Sequence, residues 1–402
     1  FNAIKHYIII FEILMQLKSF QKIDLIDIDS AKLAVVELHK QLINLNFTKL
    51  EHYPWPGSFS SLYDDPGIFF RFLLKKSNSW RPSFFWKLYA YWLKKFNSEL
   101  DIFARAFIWC EPVSNKELRA RFGSAKYDYL LENKILIEDN NQCLSRVRAT
   151  LFSDGILWSD GPPLLRENFV FLGADSLTFV RHLKEILEKE SNSVNNALDI
   201  CTGSGVHAFL LTKYAKSVIG ADINSRAIRF AKLNLDLKNN LNKVEFFTSD
   251  LISNIPKKTY DLVVSNTPFL FLPDTLRSKC IDGDGGKMGI ELVMRLIKLL
   301  PSIVSRNGKA ILHANSPIVG KKDLLEEALR DQLNKGPWKI ILKPTHAYYN
   351  PDFDELYKKN GINKFITYVI CLYRSEKPEL IKESFPLIRD IACKIRIAMQ
   401  RK

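Results

Sequence analysis

The chain has 402 residues, more than one ordinary core accommodates, so at least two domains are expected. Hydrophobic residues make up 47% and charged residues 25%, which excludes a disordered chain, and no apolar run approaches the roughly 18–20 residues a transmembrane helix needs. The net charge of +14 is uneven: residues 1–160 carry 21 Lys/Arg against 18 Asp/Glu, and residues 161–402 carry 37 against 26.

That basic excess suits RNA, DNA or an acidic protein partner, or is simply a solvated surface. The first methionine is Met15, so either residues precede Phe1 or Met15 is the start. Residues 1–14 lack the basic start and small-residue cleavage site of a secretory signal. Six cysteines lie far apart with no CxxC pair. This argues against a zinc site or a disulfide framework and suits a reducing cytoplasm.

Residues 15–100 read as mainly helical, with apolar positions at helical spacing over 31–45 and 86–96. Three prolines and two glycines over 53–67 read as a loop. Aromatics interleave with Lys/Arg over 67–96, which fits a single-stranded nucleic acid surface or a helix pair with its aromatics turned inward. Residues 101–163 change rhythm: helices over 101–109, 115–121 and 127–133, then β-like runs over 135–138 and 143–151. Helices followed by a small hairpin match a winged-helix module, which reads DNA in some proteins and docks substrate in others.

From residue 164 the pattern alternates strand and helix, the signature of a parallel α/β sheet. Strands are expected at 197–201, 217–223, 244–248, 261–265 and 309–314, with a closing pair at 338–343 and 365–374. Helices are expected at 206–214, 225–239, 289–304 and 322–333. The fold class is therefore α/β, a seven-stranded Rossmann-like sheet preceded by a mainly helical, winged-helix-like N-terminal domain. The division is 1–100, 101–163 and 164–402.

The first strand runs Leu198-Asp199-Ile200 into the turn Cys201-Thr202-Gly203-Ser204-Gly205. Glycines serve where backbone must approach a ligand closely. Gly203, Gly205 and Ala208, with Asp222 about 20 residues on, also satisfy the dinucleotide fingerprint, so an NAD(P)-dependent oxidoreductase stays open here. Asp222 ends the second strand beside Ile223, where its oxygens suit ribose hydroxyls. Asp250 closes the third, where it suits an adenine amine.

The strand over 261–265 ends in Asn266-Thr267-Pro268-Phe269, at the carboxyl edge where α/β enzymes bind ligands. A planar amide or amine nitrogen is a poor nucleophile because its lone pair is delocalised. The side-chain carbonyl of Asn266 and the main-chain carbonyl of Thr267 suit its two N–H groups, and Phe269 suits its flat face. Positioning and electrostatics then carry the rate, without metal.

Residues 198–205 together with Asn266–Phe269 resemble the class I S-adenosylmethionine-dependent N-methyltransferases that bear an Asn-Pro-Pro-Tyr/Phe motif. That family includes release-factor and ribosomal-protein glutamine methyltransferases, small-domain methyltransferases, and RNA or DNA amine methyltransferases. The resemblance covers about residues 165–375. Residues 282–291 are also similar to the Gly-Gly-x-x-Gly-Leu segment of the glutamine enzymes.

The resemblance implies S-adenosylmethionine as cofactor, held by Asp199 near its amino group and by Cys201, Thr202, Gly203, Gly205, Asp222, Ile223, Asp250 and Asn266. It implies catalysis by Asn266, Thr267, Pro268 and Phe269. The implied acceptor is a protein glutamine, as in a translation protein, or else an RNA or DNA base. A cytoplasmic location is expected, with no membrane and no metal. The departure is Thr267 where the family has its first proline, which loses that residue's fixed φ. The oxidoreductase reading leaves Asn266–Phe269 without a purpose.

Three subsidiary expectations complete the reading. Residues 270–289 form a mobile acceptor loop hinged at its glycines, with Lys279 and Lys287 solvated. His207 and His313 are structural rather than general bases. Tyr348, Tyr349 and Tyr357, with Asp352 and Asp354, line the acceptor pocket.

Overall fold

The computed structural model describes residues 24–48, 100–153, 155–161, 167–190, 193–238, 243–333, 336–385, 390, 393–394 and 397–398. The helix expected over 86–96 and the loop over 53–67 lie outside them. The chain divides into two compact units, one built mainly from Asn2–Leu164 and the other from Leu165–Leu235 with Asn239–Lys402.

In the first unit, α1 (Lys32–Asn44) buries Ala34, Val35, Leu38 and Leu42, one stripe of a 3.6-residue repeat. A short α2 (Asp101–Phe103) runs into a π-helical turn, Ala104–Ile108. Strand β1 (Val113–Ser114) leads into α3 (Asn115–Phe122), capped by the Ser114 hydroxyl, which accepts from the Glu117 N–H at 3.2 Å. Then come α4 (Ser124–Glu132) and the hairpin of β2 (Leu136–Asp139) and β3 (Gln142–Ser145), with β1 joining β3 in a three-stranded sheet.

The single run expected over 143–151 is two strands in two sheets. Strand β4 (Val147–Phe152) pairs instead with β5 (Gly155–Asp160). The break has a local cause: the Ser145 hydroxyl donates to the Val147 carbonyl at 2.6 Å and so competes with the ladder.

The second unit opens with α5 (Ala174–Glu190). Alternation follows as expected: β6 (Val194–Ile200), α6 (Val206–Leu211), β7 (Ala215–Asp222), α7 (Ser225–Leu237), β8 (Val244–Thr248) and β9 (Tyr260–Asn266). After a short α8 (Asp274–Arg277) come α9 (Glu291–Ile303), β10 (Val304–Val319), β11 (Lys322–Asp323) and α10 (Leu324–Leu333). The chain then forms β12 (Trp338–Tyr348), α11 (Asp354–Lys359), β13 (Ile362–Arg374) and β14 (Glu379–Lys382).

The strand order is β14-β12-β13-β10-β9-β6-β7-β8, with β11 on β10. Strands β8, β7, β6, β9 and β10 are parallel, and β13 lies antiparallel between β10 and β12, the expected closing pair. These seven strands form the Rossmann-like sheet expected from the sequence. Strand β14 is an addition; its four residues are half-exposed and carry no apolar alternation long enough to read.

Helix α9 buries Val293, Leu296, Ile297 and Leu300 against the sheet, each worth about 1.5–3 kcal/mol of transfer free energy. From β6 the chain winds first through β7 and β8, then returns to the other side through β9 and β10. The carboxyl ends of β6 and β9 therefore flank the crevice where such sheets bind ligands.

Candidate functional site

The two motifs rise from neighbouring strands. Ile200 at the end of β6 is in register with Ser265 of β9, whose hydroxyl donates to the Ile200 carbonyl at 2.7 Å. The turn that follows is left-handed at Cys201 (φ 59°), Gly203 (φ 56°) and Gly205 (φ 95°). The two glycines do different things. A Cβ at Gly205 would stand 2.8 Å from the Phe209 ring, whereas at Gly203 it would meet nothing within 4 Å. Gly205 is needed for packing, and Gly203 leaves backbone open to a ligand.

Asp199 lies beneath this turn, 0% exposed. Its Oδ2 accepts from the Thr202 hydroxyl at 2.6 Å and from the Ala208 N–H at 3.0 Å. Expected to meet the donor's amino group, it braces the turn here and presents no surface. Burial pushes its pKa up to about 7, the two hydrogen bonds opposing and Asp222 adding to the rise. Among the described residues Oδ1 has no hydrogen-bond partner, and neither does His207 Nδ1, 4.0 Å away. The His207 Nε2 faces the Ser176 carbonyl at 3.2 Å and so carries the hydrogen. Burial holds this imidazole down at about 4, so it is neutral.

Asp222 receives the Gly203 N–H on Oδ2 and the Asn224 N–H on Oδ1, both at 2.9 Å. Burial raises its pKa, and each oxygen keeps a second acceptor site. Beside it Ile223 is 54% exposed, a large apolar side chain at the crevice edge. Asp250, after β8, pairs with Arg295 of α9 at 3.2 Å with both side chains half-exposed.

At the end of β9 the Asn266 amide is held on both sides. Its Nδ2 donates to Asp175 Oδ2 at 2.9 Å and to the Ser176 hydroxyl at 3.1 Å, both in the first turn of α5. Its Oδ1 lies 2.8 Å from His313 Nδ1 on the adjacent strand β10. Thr267 is fully buried and donates to the His313 carbonyl at 3.1 Å. Its hydroxyl thus ties down the loop where a proline would have stiffened it. Phe269 sets its edge against the His313 ring, centroids 5.7 Å apart, and Pro268 is half-buried between them in sequence.

The segment after Phe269 is folded rather than hinged. Leu270 N–H donates to the Gly283 carbonyl at 2.7 Å, Gly285 N–H to the Leu270 carbonyl at 2.9 Å, and Arg277 pairs with Asp284 at 2.9 Å. A Cβ at Gly285 would stand 2.7 Å from Phe269 Cα, and one at Gly289 2.7 Å from the Phe269 carbonyl oxygen. These glycines permit close packing. Lys279 and Lys287 are exposed.

Tyr348, Tyr349 and Tyr357 were expected to line the acceptor pocket. They are buried in an aromatic cluster with Phe365, and Phe271 stacks on Tyr357 from the loop side. Asp354 accepts from the Tyr349 hydroxyl at 2.6 Å, and Asp352 is exposed. The cluster packs against the loop that follows Phe269. Among the described residues no group of His, Cys, Asp or Glu is placed to hold a metal ion, and the six cysteines form no disulfide. No helix of the described residues is long and apolar enough to cross a membrane.

Residues 175–332 match the model of the methyltransferase small domain. The "Putative protein N5-glutamine methyltransferase" of Methanocaldococcus jannaschii is 32% identical over 160 residues, covering 38% of this chain and 75% of that protein. The chain belongs to the methyltransferase small-domain family. A release factor glutamine methyltransferase of Buchnera aphidicola subsp. Schizaphis graminum is 38% identical over 90 residues, 22% of this chain and 32% of that one. A ribosomal protein uL3 glutamine methyltransferase of Bordetella pertussis is 29% identical over 147 residues, 34% and 48% respectively. The chain thus spans three quarters of the first relative and between a third and a half of the other two.

For a methyltransferase small domain S-adenosylmethionine is the cofactor, and the residues present fit it. The open backbone at Gly203, the spare acceptor sites of Asp222 and the exposed face of Ile223 lie in sequence along one crevice edge, as a nucleoside requires. Three residues of the site escaped sequence reasoning: Asp175, Ser176 and the role of His313. Asp175 and Ser176 lie 91 and 90 residues before the Asn266 they touch, so no local pattern connects them to it.

Proposed function

We propose that the chain transfers the methyl group of S-adenosylmethionine to the side-chain amide nitrogen of a protein glutamine. The observation that carries this reading is the Asn266 amide, fixed at the end of β9 one strand from the glycine turn. The names of the relatives, which specify glutamine in release factors and in ribosomal protein uL3, support the acceptor and point to a translation protein.

The roles follow from chemistry. Asp222 receives the ribose hydroxyls, Ile223 packs on the adenine, and Asp250 receives the adenine amine while still paired with Arg295. Cys201, Thr202, Gly203 and Gly205 supply the turn that lets the donor approach, with Asn266 at its far end. The bound donor supplies a methyl group activated on a sulfonium sulfur. Asn266 Oδ1 already accepts from His313 and uses its second acceptor site for one N–H of the substrate amide. The Thr267 carbonyl takes the other. Holding both hydrogens in plane aims the nitrogen lone pair, and Phe269 packs on the flat amide.

The nitrogen sheds a proton as the N–C bond forms; that proton is hydrogen-bonded to one of the two clamp oxygens and passes from there to solvent water. His313 does not take it. Burial pushes this imidazole down to about 3 and its Nδ1 hydrogen already serves Asn266.

A second reading, methylation of an RNA or DNA base, is favoured by the net charge of +14. The division 1–100, 101–163 and 164–402, with a winged-helix-like module in the middle, belongs to the same proposal. So does the segment 101–163 as a substrate-docking element. Incubating the protein with labelled S-adenosylmethionine and a cell extract, then hydrolysing the labelled material, tests the acceptor. Label in N5-methylglutamine supports the proposal, and label in nucleic acid overturns it. Asn266→Ala should leave S-adenosylhomocysteine binding intact while transfer falls about 100-fold or more; transfer within a few-fold of wild type would sink the clamp.

A further inference from the structure

We infer that Asp175, Ser176 and His313 are positioning residues that hold the Asn266 amide in one of its two orientations. The inference rests on the reading of Asn266 as the acceptor clamp. A primary amide is nearly symmetric in shape, and a half-turn about its last bond exchanges oxygen for nitrogen. Only one orientation offers the substrate an acceptor.

The surroundings choose between the two. On one side stand two acceptors, the Asp175 carboxylate at 2.9 Å and the Ser176 hydroxyl oxygen at 3.1 Å, matched to the two hydrogens of Nδ2. On the other stands the His313 ring nitrogen at 2.8 Å. A carboxylate cannot donate, so the amide nitrogen must face Asp175 and the oxygen must face His313. The imidazole must then carry its hydrogen on Nδ1. A flipped amide would press its oxygen on a carboxylate and its hydrogens on an N–H.

Each of the three is itself held. Phe179 stacks on the His313 ring (centroids 5.2 Å, planes 10° apart) and Phe269 meets it edge-on. Strand pairing sets His313 directly beside Asn266. Gly173 leaves room for Asp175: a Cβ there would stand 2.5 Å from Asp175 Oδ1. The Ser176 carbonyl also accepts from His207, on the helix that follows the glycine turn. One turn of α5 therefore touches both the donor-side helix and the acceptor clamp. A carboxylate hydrogen-bonded to Nδ2 also polarises the amide and makes its oxygen a better acceptor.

The test reads the histidine directly. In full-length protein labelled with 15N-histidine, long-range proton–nitrogen spectra should show His313 as the Nδ1–H tautomer. In Asp175→Ala the amide is released, and a share of His313 should shift to the Nε2–H form. Asp175→Ala should lower kcat for methyl transfer by about 10–100-fold, with S-adenosylhomocysteine affinity unchanged. Asp175→Asn, which keeps an acceptor oxygen, should recover most of it. A wild-type His313 found as Nε2–H overturns the inference even if glutamine transfer is observed. So does a kcat within a few-fold of wild type in Asp175→Ala combined with Ser176→Ala. If wild type methylates no glutamine, the proposed acceptor fails, and the tautomer measurement still decides this point.

Discussion

Replacing Asp199 by Asn should stabilise the protein at neutral and alkaline pH. Asp199 is fully buried, and its pKa is raised from 3.8 to about 7 chiefly by burial. A raised carboxyl contributes stability that is fully present below pH 4 and lost as pH rises through 7. The cost of ionising it at pH 8 is about 4 kcal/mol by that shift, an upper figure. The amide removes this cost and keeps the brace, because its oxygen can still accept from Thr202 and Ala208.

The amide also supplies what the native pair lacks. Its NH2 stands where Oδ1 stood, 4.0 Å from a His207 nitrogen that has a lone pair and, among the described residues, no hydrogen-bond partner. Thermal and urea unfolding of both proteins from pH 4 to 9 reads the difference. The advantage of Asp199→Asn should be near zero at pH 4, grow to pH 7 and then level off. At roughly 2–4 °C per kcal/mol for a unit of this size, the plateau should be a Tm rise of several degrees. His207 and His313, whose lowered pKa values favour the fold only above their unfolded value near 6.5, affect both proteins and cancel to first order. A variant less stable than wild type at pH 8, or a difference independent of pH, would refute the reasoning. Since Asp199 presents no surface, affinity for S-adenosylhomocysteine should hold within a few-fold.

Asp222→Ala removes an acceptor from the Gly203 and Asn224 N–H groups and from the proposed ribose site. Affinity for S-adenosylhomocysteine by calorimetry should fall more than about tenfold, and an unchanged value would take Asp222 out of the donor site. Gly285→Ala places a Cβ 2.7 Å from Phe269 Cα and 2.6 Å from the Gly289 carbonyl oxygen. It should cost about 1–3 kcal/mol of stability and reduce methyl transfer while donor affinity is kept. Full activity with wild-type Tm would mean the loop gives way freely.

The alternation of β6 to β10 was readable because buried parallel strands are short apolar runs, such as Leu262-Val263-Val264, bounded by polar breaks. The glycine turn and Asn266–Phe269 were readable because their residue types carry their own backbone and hydrogen-bonding requirements. Strand β14 and helix α11 were not, since neither has an apolar face long enough to show a period. The break at Ser145 was hidden for another reason: a hydroxyl bonding to its own neighbouring backbone leaves no trace in hydrophobicity.

The sequence by itself therefore determined the sheet, the cofactor class and where the proposed clamp residue stands, all of which depend on contiguous segments. Which way the Asn266 amide faces, and that Asp199 is buried as a brace under the glycine turn, only the tertiary structure decided. Those properties depend on partners 90 and 47 residues away at Ser176 and His313, and on burial, which strips a carboxylate of water. Contacts across strands and helices have no sequence spacing of their own; the parallel register of β9 with β10 and the first turn of α5 bring them together.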